Sequence, residues 1–164
     1  WLPHHVETLV GLRSREPNAV LYASRATNRA ADSAECIGIS AILEEGSVRA
    51  KLLWDNPIVH SAVAFDKQAY QVAGGYRGPT YAEDYDLWIR LLNIGRLAST
   101  TETTLDYFVS ESSLSRIKRT NALNVRFGLQ RRAIRAFAKR HPAAAACILP
   151  MVILRQAVNA GITT

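Results

Sequence analysis

The chain has 164 residues, 48% of them apolar and 21% charged, with nine Gly, six Pro and two Cys; that composition suits one ordinary globular domain and excludes a disordered, fibrous or disulfide-stapled chain. A formal charge of +6 with pI near 9.7 points to nucleic acid or an anionic surface only where the basic residues cluster. They do cluster: Lys118, Arg119, Arg126, Arg131, Arg132, Arg135, Lys139 and Arg140 follow one another with no acid between them.

The chain opens on Trp1 inside an apolar pattern and without the charged region and long apolar run of a signal peptide, so it is expected to be a piece of a longer protein. Residues 4–15 place Val6, Leu9, Val10 and Leu12 at helical spacing, with Pro17 as the stop, and His4 and His5 are expected at the surface of that helix. VLYAS at 20–24 predicts a short buried strand and the polar run 25–35 a loop. Residues 36–43 fit strand or helix equally. After Glu44, Glu45 and Gly46 comes a weak helical pattern that reaches Trp54, and Asn56-Pro57 punctuates it. The apolar run 58–65 then predicts a central strand, which makes His60 a hydrogen-bonded core histidine.

Asp66 can cap a short helix through Ala69, Tyr70 and Val72 to Gly74-Gly75, a pair suited to left-handed backbone. Residues 83–94 put Leu87, Leu91 and Ile94 on one stripe, with acids in the first turn and Gly95 at the end. LAST and TLDYFVS read as two strands and 111–115 as a loop. From Ser115 to Arg140 one long helix is expected, with Leu123, Phe127, Ile134 and Phe137 within roughly an 80° stripe. About a dozen apolar residues follow, interrupted by Pro150 and closed by Arg155, short of the ~20 that a spanning helix needs.

Chemistry concentrates at Glu83, Asp84 and Asp86. A carboxylate at a helix N-terminus is kept ionised by free backbone N–H groups and can serve as a general base, although first-turn acids also arise from capping alone. Arg90 lies four residues beyond Asp86 and fits an i, i+4 pair with it. Cys36 and Cys147 match no CxxC or Cys/His metal spacing, so no zinc site is expected and a reducing cytoplasm fits.

The stretch from Asn56 to Gly95, with Gly74, Gly75, Tyr76, Glu83, Asp84, Asp86, Leu87, Trp88 and Arg90 in order as GGY followed by EDxDLWxR, resembles the second half of family 2 glycosyltransferases. Residues 1–24 are similar to the segment that follows that family's DxD strand, so the resemblance covers about 1–116. It implies an α/β chain, the C-terminal part of a GT-A fold with a mixed sheet and flanking helices, followed by a basic helical extension with an apolar tail over 117–164. It also implies inverting transfer of a sugar from a nucleotide-sugar donor to a glycan or lipid-linked acceptor. Asp84 would be the base, Gly75, Tyr76, Glu83, Asp86 and Trp88 would shape the acceptor side, and a divalent metal, Mn²⁺ or Mg²⁺, would be held by a DxD upstream of this chain.

The family often continues with Tyr-Arg-x-His and serines; here the run is Tyr107, Phe108, Val109, Ser110, then Ser112, Ser113 and Ser115. Phe108 cannot bind a phosphate, so the donor side departs from the pattern. Trp54 and Trp88 also fit core packing, and Tyr76 a packed turn. The basic helix has two readings: a solvated helix lying on the domain, or a contact with an anionic membrane, peripheral to the inner face of the cell membrane. No aromatics interleave with its basic residues, so nucleic acid is not expected as a partner. The competing function is a non-catalytic or truncated module that binds a partner or membrane through this helix.

Overall fold

The computed structural model describes residues 1–77, 82–110 and 119–161, with side chains of the last stretch described from Phe127 to Arg155. It is an α/β structure built on a small, mixed, open sheet with flanking helices. The central strand is β1 (Ala19–Ala30). Along one edge it pairs in parallel with β4 (Arg96–Val109); along the other it pairs antiparallel with β3 (Val63–Phe65) near its start and with β2 (Cys36–Ile39) near its end. Successive side chains of β1 enter opposite layers. Tyr22 joins Leu9 and Leu12 of α1 (His5–Arg15) on one face, while Leu21 and Ala23 join the larger core on the other.

That larger core is covered by α2 (Glu45–Lys51), α4 (Glu83–Ile94) and α5 (Arg119–Arg140). Leu87, Trp88, Leu91 and Leu92 of α4 are all withdrawn from water, and burying each leucine side chain contributes about 1.5–3 kcal/mol. The face differs from the expected stripe at its end: Ile94 is exposed and Tyr85, Ile89 and Leu92 are buried in its stead. Likewise α1 buries Leu9 and Leu12 but exposes Val6 and Val10. His5, expected at the surface, is buried, its Nδ1 2.7 Å from the Thr104 hydroxyl, with Trp1 stacked on its ring.

Three strand expectations need correction. The polar run after Ser24 is not a loop as far as Ala30: β1 continues because both its edges are paired there, and the Arg29 guanidinium meets Asp106 at 2.8 Å. Tertiary pairing overrides composition. Residues 58–65 are not a central strand. They form a 3₁₀ turn (His60–Ala62) and the three residues of β3, cut short because Asp66 caps the next helix, α3 (Lys67–Val72), by accepting the Ala69 N–H at 2.8 Å. LAST and TLDYFVS are one strand, not two. Its register against β1 shifts between Ser99 and Thr103, so the polar residues between them are absorbed as a bulge.

Gly95 lets α4 turn directly into β4 across β1, since a Cβ there would lie 2.3 Å from Val20 Cγ1. Helix α5 is described from Arg119, and the expected start at 115–118 and the loop 111–115 lie outside the described residues. It packs on the domain through buried Leu129 and Ala133 with Ile134 and Phe137, and Leu123 of the expected stripe lies among the undescribed side chains. The apolar tail belongs to a further helix, α6 (Pro142–Gly161), which continues through both Pro150 and Arg155. Among the described residues no helix is long and apolar enough to cross a membrane.

Candidate functional site

The acids of α4 stand at its first turn, just after Ala82, which takes a left-handed φ of 84°. Glu83 and Asp84 are partly exposed, whereas Asp86 is only 5% exposed. Two residues along a helix is a rotation of roughly 200°, so when Asp84 faces outward Asp86 faces in. One Asp86 oxygen accepts Arg90 Nε at 2.9 Å and is ion-paired to its Nη2 at 2.8 Å, and the other accepts Arg132 Nη1 of α5 at 2.9 Å. Asp86 therefore ties α4 to α5. Trp88 is fully buried beside His60 and Phe65, and among the described residues its indole N–H has no hydrogen-bond partner. Both residues support the site from behind.

Asp84 has different company. Its Oδ1 accepts the Tyr85 N–H at 2.8 Å and its Oδ2 accepts Asn56 Nδ2 at 2.9 Å. Burial pushes its carboxyl above the usual carboxylate range; the Tyr85 N–H, the nearby His60 and the Asn56 amide pull the other way, and Glu83 adds to the rise. Asn56 is held for this contact, because its own Oδ1 accepts the Ile58 N–H at 3.2 Å. Such a side-chain turn is common at Asn.

An aromatic ledge borders the acid. Gly74 and Gly75, with φ of 81° and 61°, end α3 as their sequence suggests, and a Cβ on Gly75 would lie 3.0 Å from the Tyr70 hydroxyl. That turn sends Tyr76 back over Tyr70, whose hydroxyl accepts the Tyr76 N–H at 3.2 Å. Tyr76 remains 40% exposed, and its hydroxyl lies 2.7 Å from Nε2 of the exposed His60. Burial holds the Tyr76 hydroxyl above its ordinary pKa, and Asp84, Tyr70 and Glu83 add to the shift.

The expected residues thus divide. Asp84, Glu83, Gly75 and Tyr76 gather at one rim, while Asp86 and Trp88 lie beneath it. Asn56 and His60 are functional candidates that the sequence reading passed over: Asn56 looked like punctuation, and His60 is neither within a strand nor in the core. Asn56 had a local signal, the Asn-Pro-Ile turn. His60 had none, because its partner is sixteen residues away.

Phe108 and Tyr107 are exposed at the end of β4, and Ser112, Ser113 and Ser115 lie outside the described residues. Among the described residues no three His, Cys, Asp or Glu side chains converge as metal ligands, so the divalent metal implied by the resemblance finds no donor set there. No protein-family model matches the chain, and no curated protein matches it.

Proposed function

We propose that this chain carries the acceptor side of an inverting glycosyltransferase of family 2, as the C-terminal part of a GT-A fold. The observation that carries the reading is Asp84: a half-buried carboxyl with a raised pKa, steered by Asn56 and bordered by the exposed Tyr76 and His60 rings. A sugar hydroxyl is a poor nucleophile until its proton is removed, and a base of raised pKa removes it with more driving force. On this reading an acceptor sugar packs its apolar ring face on Tyr76 and presents a hydroxyl to Asp84. The hydroxyl oxygen forms a bond to the anomeric carbon of the donor while its proton passes to Asp84. The bond from that carbon to the nucleoside diphosphate breaks on the opposite face, so the configuration inverts.

The donor half and its DxD metal site are, by the same resemblance, supplied upstream of these residues. The reaction is set in the cytoplasm, where the exposed Cys36 and Cys147 stay as thiols. The test is sugar transfer by the longer gene product from a panel of nucleotide sugars. Asp84→Asn should lower kcat by about 10²–10⁴-fold with the fold and nucleotide binding retained, and near-wild-type turnover would overturn the reading.

A further inference from the structure

A second surface, built from different elements than the acidic rim, has a composition that water alone does not explain. Helix α6 folds back along α5: Gln130 Nε2 of α5 and Arg155 Nη1 of α6 both reach the Trp54 carbonyl, at 2.7 and 3.4 Å. Ala145 and Val152 of α6 turn to the core, and Ile148 is partly buried against it. The other side chains from Pro142 to Arg155 face solvent, including Pro150, Met151, Ile153 and Leu154, the last 67% exposed. From Pro142 to Leu154 no side chain carries a charge. A helix resting on a domain ordinarily carries polar groups along its outer side, and the first thirteen residues of this one, Pro142 to Leu154, put no charged group there before Arg155.

Beside it, α5 turns Leu129 and Ala133 inward and Arg131, Arg135 and Lys139 outward, one turn apart on one stripe. The two helices pack on each other as well as on the core, so their outward faces adjoin. No acid follows Glu111 anywhere in the chain. A second copy related by a twofold axis would set these positive charges against themselves with nothing on either hairpin to neutralise them. An anionic bilayer answers both features, offering negative headgroups to α5 and an apolar layer to α6.

We infer that the α5–α6 hairpin docks the chain on anionic lipid, with α6 lying in the interface plane and Arg131, Arg135 and Lys139 against the headgroups. The proposal does not rest on the transferase reading. It is tested by cosedimenting the 164-residue chain with vesicles of phosphatidylglycerol and phosphatidylcholine or of phosphatidylcholine alone. Binding is expected to the mixed vesicles at low salt and to be lost at about 1 M salt, where charges are screened within ~3 Å. Replacing Arg131, Arg135 and Lys139 by Gln should weaken partitioning roughly five-fold for each charge removed, about 1 kcal/mol apiece. Ile153→Ser with Leu154→Ser, both exposed positions, should weaken it further while leaving the melting temperature unchanged. Equal binding to both vesicle types, binding to neither, or a salt-resistant dimer that the two serine substitutions dissolve would each overturn it.

Discussion

Asp84 and Asp86 sit two residues apart on one helix, and the domain treats them in opposite ways. Asp86 is buried and met by two guanidinium groups, one from its own helix and one from α5. Asp84 is less buried, yet its side-chain partner is the neutral amide of Asn56, and burial pushes its carboxyl above the usual carboxylate range. A carboxylate compensated by formal charge on both oxygens is committed to holding structure together. One that is desolvated and steered by neutral donors keeps its affinity for a proton, which is the property a base requires. The difference between scaffold and candidate chemistry is therefore one of partners, and it can be broken from either side.

The largest effect expected is the loss of about 10²–10⁴-fold in kcat for Asp84→Asn. The matching change at the other acid, Asp86→Ala, should act on stability instead. It strands Arg90, a nearly buried guanidinium, and should cost about 3–5 kcal/mol, seen as an early midpoint in urea unfolding. Should Asp86→Ala leave the midpoint where it was, the assignment of Asp86 to the scaffold fails. Asn56→Ala removes a donor that favours the ionised form of Asp84. It should lower kcat by about 10-fold and move the acidic limb of the pH–rate profile upward, whereas a purely structural Asn56 would leave that limb in place.

A subtler contrast is thermal. Because the Asp84 carboxyl is raised in the folded state, it favours folding below its ordinary value of 3.8, and that contribution is lost as pH rises through the folded value. Asp84→Asn does not ionise, so its melting temperature should exceed that of the wild type near neutral pH, with the gap closing as pH falls towards the ordinary value. A gap that persists unchanged into acid would assign the gain to packing. The smallest effect should come from Arg132→Gln. This guanidinium is well exposed even though it touches Asp86, and exposed pairs contribute about 1 kcal/mol or less; a loss as large as that of Asp86→Ala would show that the α4–α5 tie, not Arg90, is what Asp86 serves.

What could be read in the sequence was whatever is decided within a few residues. The Asp66 cap, the Gly74-Gly75 turn, the helix of 83–94 and the Asp86–Arg90 pair all rest on local spacing, and all four appear as expected. The polar half of β1 did not announce itself, because its strand character comes from β4, which is distant in sequence. The run 58–65 looked central for the opposite reason: its apolar residues serve a turn and a brief edge strand rather than a strand paired on both sides. At the site, the acids and the tyrosine were legible as a motif. The division between Asp84 and Asp86 depended on which side of α4 meets α5, and the His60–Tyr76 contact on how the chain folds back after α3.

The parallel pairing of β1 with β4 has a consequence for how the site comes into being. It joins Ala19 to Arg96, and Asn56, His60, Tyr76 and Asp84 all lie on the long excursion between those two residues. Closing so large a loop is entropically slow. A chain emerging from the ribosome that has not yet released β4 has every rim residue in hand and no β4 to close the sheet beneath them, so competence of the acid should arrive together with sheet closure.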